Sequence, residues 1–141
     1  MTTIDRKYFK TTTAYERQKY LHPLAIGVML HAVNFAPTIG VNDLIFTETV
    51  TTEAEDKLVG RQHDQHRRRV AVDVRVKNWS GEQIDAMEKE LDTYFNSIAY
   101  VNGAGKKEVA FCHGEADNIH FHVAINAKFK LPEITDFEKI S

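Results

Sequence analysis

Two segments of the sequence alternate strictly between apolar and polar residues, which is the pattern of β-strands with one buried face. In residues 69–77, valines occupy every second position and Asp73 lies on the opposite face. In residues 119–126, the alternate positions are apolar, and His120 and His122 share the other face. If these two strands are neighbours in one sheet, the aspartate and both histidines lie on the same face of that sheet.

The remaining segments predict helices and further strands. Pro23 begins a run of apolar residues at helical spacing that ends before Pro37. Ser80 and Gln83 form a capping-box pattern ahead of a second apolar helical stripe. Strands are also predicted within residues 43–50 and 108–113, and a short helix within residues 51–62. This order predicts an α+β protein with a largely antiparallel sheet and helices packed on one face.

Length and composition predict one domain and exclude several classes of protein. The 141 residues suffice for a single core, and we expect an N-terminal arm over residues 1–20, a domain over 21–130 and a C-terminal tail over 131–141. A net charge of −2 argues against nucleic-acid binding. No segment resembles a signal peptide or a membrane span, which predicts a protein made in the cytoplasm without a membrane partner. The single cysteine excludes an intramolecular disulfide and a four-cysteine zinc site.

Histidines are concentrated around the two alternating strands. Five of the seven fall in two clusters: His63, His66, His113, His120 and His122. His66 precedes Asp73 by seven residues, in the loop that leads into its strand. Two imidazoles and one carboxylate form a suitable shell for Zn²⁺ with a fourth position open to water. Asp117 or Glu115, in the loop before the closing strand, could act as the general base that such chemistry needs.

These motifs resemble those of a known family. The segment His66-Arg-Arg-Arg-Val-Ala-Val-Asp73 resembles the H-x-x-G-x-A-x-D signature of zinc-dependent D-Ala-D-Ala and L-Ala-D-Glu peptidases, and Ile119-His-Phe-His-Val-Ala resembles their closing strand. The similarity covers about residues 21–126 and is strongest to small phage-borne members. It implies the hedgehog/DD-peptidase fold and Zn²⁺ bound by His66, Asp73 and His122. His120 would then lie beside the metal as a hydrogen-bonding or transition-state-stabilising group.

A second register of the closing strand stays open. Some members of the family use an acid-x-x-His pattern, and Asp117-Asn-Ile-His120 fits it. In that register His120 is the third ligand and Asp117 is the base. Strand alternation places both histidines of the strand on the same face, so the pattern alone does not decide between His120 and His122.

The sequence departs from the family at three positions. Asp64 stands where the family usually has serine, and Arg69 stands where it has glycine. The arginine that neutralises the oxyanion in the family ends the preceding strand, yet residues 47–52 contain none. Losing such a group typically costs about 3–4 kcal/mol of transition-state stabilisation. Arg61, Arg67 and Arg68 are the candidates to replace it.

The resemblance implies a zinc metallopeptidase that hydrolyses a peptide bond in bacterial peptidoglycan, as an endolysin or a D,D-carboxypeptidase. Such a protein would be released to the cell wall or carried in a phage particle. One alternative is a metal-binding or structural module on the same fold with weak or no activity. The other is an HUH-type relaxase, because residues 113–122 also resemble the metal motif of those nicking enzymes. Its nucleophile would come from the N-terminal tyrosines Tyr8, Tyr15 and Tyr20.

Overall fold

A computed structural model describes residues 3–114 and 118–137. Over these residues the protein is α+β, as predicted. The α-helices are α1 (Thr12–Arg17), α2 (Pro23–Phe35), α3 (Glu53–Leu58) and α4 (Gly81–Tyr94). The strands are β1 (Ile45–Glu48), β2 (Ala71–Arg75), β3 (Tyr100–Val101), β4 (Lys107–Glu108), β5 (Ala110–His113) and β6 (His120–Ala124). Within the described ranges, no helix combines the length and the apolar character that crossing a membrane requires.

Four strands form an antiparallel sheet in the order β1-β2-β6-β5. The register pairs Asp73 of β2 directly with His122 of β6, and Arg75 with His120. Side chains of directly paired residues point to the same face. The expectation that the two alternating strands are neighbours is therefore confirmed.

The valine face of β2 lies in the core. Val72 and Val74 are almost fully buried, as is Phe121 of β6. Helices α2 and α4 contact each other, and α4 also contacts β5. The predicted capping box begins α4: the Ser80 hydroxyl accepts from the Gln83 backbone N–H at 3.1 Å, and the Gln83 side chain accepts from the Ser80 N–H at 2.8 Å.

The N-terminal segment packs against the core from Ile4 onward, and Phe9 forms an isolated bridge with Phe46 at the edge of the sheet. Ile4 and Phe9 are each 3% exposed. The Gln18 side chain bonds to both the N–H and the carbonyl of Ile4, at 2.8 and 2.9 Å, and the Lys10 N–H donates to the carbonyl of Phe46 in β1. The apolar residues of this segment are too widely spaced to produce a periodic signal in the sequence.

The strand predicted over residues 108–113 is divided in two. Strand β4 pairs with β3 in a separate two-stranded hairpin, whereas β5 joins the main sheet. The change of direction occurs at Val109, where the carboxylate of Asp92 on α4 accepts the N–H groups of Val109 and Ala110 at 2.7 and 3.0 Å. A contact from a distant helix thus interrupts a pattern that is continuous in the sequence.

Candidate metal centre

Two histidines and one aspartate converge on the polar face of the sheet. His66 comes from the loop before β2, Asp73 from β2 and His122 from β6. One potential ligand atom from each lies within 4.8 Å of the others, and all three residues are buried. This group could hold a metal ion. It contains His122 rather than His120, because His122 is the residue paired with Asp73 in the sheet.

The loop before β2 holds His66 in place by a tight turn. The Arg69 N–H donates to the carbonyl of His66, and the Val70 N–H donates to that of Gln65. Arg69 closes the turn with φ 71°, a left-handed conformation that favours glycine. Its guanidinium Nε donates to the carbonyl of Tyr20 at 2.6 Å, which anchors the strained residue. The backbone at this position has the conformation for which the glycine of the H-x-x-G pattern is suited.

The hydrogen bonds around the group orient one ring nitrogen of each histidine toward the same oxygen of Asp73. The Nδ1–H of His66 donates to the carbonyl of Thr49 at 2.8 Å, which leaves its Nε2 directed at Asp73 Oδ1, 3.2 Å away. Gln65 Oε1 engages Nε2 of His122, and the Nδ1 of His122 lies 3.2 Å from the same Asp73 oxygen. A second hydrogen bond that fixes the ring of a ligating histidine is typical of metal sites. The donor set therefore fits a divalent ion that accepts nitrogen and oxygen ligands, such as Zn²⁺.

Burial and the neighbouring charges shift the pKa values of all three residues of the group. Burial alone would lower the pKa of His66, but the carboxylate of Asp73 outweighs it and raises that pKa. Burial would likewise raise the pKa of Asp73, yet His66 and His122 hold it well below its usual value. Burial lowers the pKa of His122. These shifts favour a protonated His66 beside an ionised Asp73, and a metal ion would replace the proton on His66 Nε2.

Arg61 brings a guanidinium to the same site. Its two terminal nitrogens bind the Glu48 carboxylate at 3.2 and 2.5 Å. Nη1 also binds Asp56 Oδ1 at 2.7 Å, and Nη2 lies 3.7 Å from Asp73 Oδ2. Burial would lower the pKa of Arg61, but Glu48 and Asp56 raise it above its ordinary value. Of the three arginines proposed to replace the missing cation, this one reaches the metal-binding group.

The other two candidate arginines are engaged elsewhere. Arg67 binds Asp56 Oδ2 at 3.0 Å and Glu133 at 3.2 Å. Arg68 Nε donates to the carbonyl of Leu131 at 2.7 Å. Both arginines thereby attach the loop to the C-terminal segment, residues of which were expected to form a separate tail.

A cavity of about 660 Å³ opens beside the group. Asp73 lies in its wall, together with Arg61, His63, His113 and His120. The ring centroids of His113 and His120 are 4.2 Å apart, and that of His63 lies 4.8 Å from His122. The volume lies within the range of small-molecule sites. Of the three residues of the group, Asp73 lines this cavity, so a ligand in the cavity would meet the group at that carboxylate.

Of the three predicted catalytic residues, the structure describes His120. His120 lines the cavity, and its Nδ1–H donates to the carbonyl of Asn118 at 2.9 Å, which leaves its Nε2 without a hydrogen-bond partner among the described residues. Asp117 and Glu115 lie outside the described residues. Sequence reasoning missed the contributions of Glu48, Gln65 and the Thr49 carbonyl, because these groups are brought to the site by tertiary contacts alone.

The charge pairing predicts how stability depends on pH without metal. A histidine whose pKa is raised on folding stabilises the fold below its unfolded pKa of about 6.5, and that contribution is lost as pH rises through the folded value. His63, whose pKa burial lowers to about 4, has the opposite effect at pH 4–6.5. We expect the free energy of unfolding, measured by urea titration with chelator present, to fall from pH 6.5 to 8 because of His66. Added Zn²⁺ should remove this decline. The absence of the decline with chelator present would contradict the pairing, whereas a decline that persists with Zn²⁺ would show that the metal does not replace the proton on His66.

Comparisons with protein-family models, curated proteins and solved structures found no match for this chain.

Proposed function

We propose that the protein is a zinc-dependent peptidase that hydrolyses a peptide bond in bacterial peptidoglycan. The observation that carries the proposal is the buried His66/Asp73/His122 group beside an open cavity. These are the three residues that the family resemblance assigns to the metal. The left-handed backbone of Arg69, at the glycine position of the family pattern, supports the same assignment.

The chain's own residues have separate tasks in this proposal. His66, Asp73 and His122 hold the ion, which when bound supplies a Lewis acid and lowers the pKa of water. The Thr49 carbonyl and Gln65 orient the two imidazole rings. Because open-site zinc enzymes keep one position free, the substrate carbonyl would enter from the cavity.

Polar groups in the cavity would act on the substrate. His120 Nε2 is available to hydrogen-bond the carbonyl oxygen of the scissile bond. Arg61 contributes positive charge near the same point, where negative charge develops on that oxygen. The proposal assigns proton transfer from water to the leaving amine to Asp117, with Glu115 as the alternative.

A metal-binding module without activity is the second candidate. The observation that favours it is the double engagement of Arg61 by Glu48 and Asp56, which neutralises the cation before any substrate arrives. The relaxase alternative has less support. None of the chain's five tyrosines lines the cavity, and Tyr15 and Tyr20 pack against the core.

The proposal is tested with the full chain, Zn²⁺ and purified bacterial peptidoglycan. We expect soluble fragments with newly exposed amino groups, identified by mass spectrometry, and their loss on adding chelator. His122→Gln should abolish release, whereas His31→Gln should not, because His31 pairs with Glu90 away from the cavity.

Two results would overturn the proposal. Stoichiometric zinc binding without fragment release from walls of several types would identify a metal-binding module. Metal-dependent nicking of single-stranded DNA, lost on replacing one N-terminal tyrosine by phenylalanine, would identify a relaxase.

A further inference from the structure

Two positive side chains line the cavity without an acidic partner among the described residues. Lys10 and Arg75 both line it. Within residues 3–114 and 118–137, neither side chain forms an ion pair. The remaining described side chains with a full charge in its wall are Arg61, Glu48 and Asp73, and Arg61 binds Glu48 and lies 3.7 Å from Asp73. Among the residues that the structure describes, the wall therefore carries three cationic side chains against two carboxylates.

The sheet fixes where this charge lies relative to the metal-binding group. Arg75 is two residues beyond Asp73 on the same strand and the same face, a separation of roughly 7 Å along the strand. Its cross-strand partner is His120. Lys10 is held beside β1 by the bond from its N–H to the Phe46 carbonyl. Roughly 7 Å is the length of about two residues of extended peptide.

We propose that Arg75, assisted by Lys10, binds a carboxylate of the substrate within about two residues of the scissile bond. This inference rests on the proposed function for its substrate class. A guanidinium presents two parallel N–H donors that match a carboxylate, and such charge-assisted pairs are among the stronger hydrogen bonds. A polyanion is disfavoured, because the chain as a whole carries a net charge of −2 and would repel it.

The first experiment measures binding without catalysis. Acetylalanine and acetylalanine amide are titrated into chelator-treated protein, and the ring signals of the cavity histidines are followed by NMR. We expect the free acid to bind about tenfold or more tightly than the amide, since hydrogen bonds to charged groups contribute that much. Inorganic phosphate, titrated in parallel, shows whether the site accepts any small anion or prefers the carboxylate.

Matched variants test whether Arg75 causes the preference for the acid over the amide. Arg75→Gln should remove it, whereas Lys77→Gln, an exposed residue on the same segment outside the cavity, should keep it. Arg75→Lys should retain part of it. Because the Arg75 side chain has no hydrogen-bond partner in the described structure, Arg75→Gln should fold normally, as circular dichroism can verify.

Three results would overturn the inference. The first is equal binding of the acid and the amide by the unmodified protein. The second is a preference for the acid that survives Arg75→Gln. The third is a single-stranded oligonucleotide that binds more tightly than the acid and loses that binding in Arg75→Gln. Zinc-loaded protein with peptide acids and amides then separates the two proposals. An acid preference without hydrolysis refutes only the peptidase, whereas equal hydrolysis of both substrates refutes only the carboxylate site.

Discussion

Asp73→Ala is expected to weaken zinc binding by at least about a hundredfold. The substitution removes the only carboxylate of the metal-binding group, and even loss of a group that merely orients a ligand costs about 10- to 100-fold in affinity. It also leaves the buried His66 without its ionic partner. Competition with a chromophoric zinc chelator measures the affinity directly. Peptidoglycan release should disappear in parallel.

Two further variants keep this prediction independent of folding. Asp73→Asn preserves the shape of the side chain and removes its charge, so it should reproduce the loss of zinc while retaining the circular dichroism spectrum. Asp43→Ala changes an exposed aspartate before β1 and should bind zinc normally. A folded Asp73→Asn protein could instead bind zinc within threefold of the unmodified protein's affinity. That result would show that His66, Asp73 and His122 form a structural cluster of ionic contacts rather than a metal site.

The sheet could be predicted where one strand face is buried. A period of two is a strong signal in β2 and β6, because an error of one residue would move every valine of β2 from the apolar core to the polar face that holds Asp73. The capping box at Ser80 is equally local, since its partners are three residues apart. The division between β4 and β5 depends instead on Asp92, which is distant in sequence. No local pattern could have revealed it.

The candidate site could likewise be predicted only where it depends on the alternation of side chains along a strand. The proximity of Asp73 and His122 follows from strand alternation plus one assumption about neighbouring strands, and the structure satisfies it. The choice of His122 over His120 required the register. Glu48 was missed because the register of β1 shifts between Phe46 and Glu48, and this irregularity leaves no sequence signal.

Arg61→Gln is expected to lower kcat for peptidoglycan fragments about a hundredfold with a smaller change in KM. The guanidinium lies 3.7 Å from Asp73 at the cavity, where the proposed mechanism places the negative charge of the transition state, and loss of one such stabilising group typically has this effect. The substitution should also reduce the free energy of unfolding by about 3 kcal/mol, because it removes a partner from the buried carboxylate of Asp56. Steady-state kinetics and urea titration measure the two effects separately.

Arg67→Gln provides the control that separates catalysis from stability. Arg67 binds the other oxygen of the same Asp56 carboxylate at 3.0 Å, but it does not line the cavity. Its loss should therefore destabilise the fold by a similar amount and leave kcat nearly unchanged at temperatures where the protein stays folded. If both variants lowered kcat equally, Arg61 would act only through the loop that positions His66. If neither variant lowered kcat, another cation would have to stabilise the transition state. Arg75, on the same face of β2 as Asp73 and in the wall of the cavity, is the alternative.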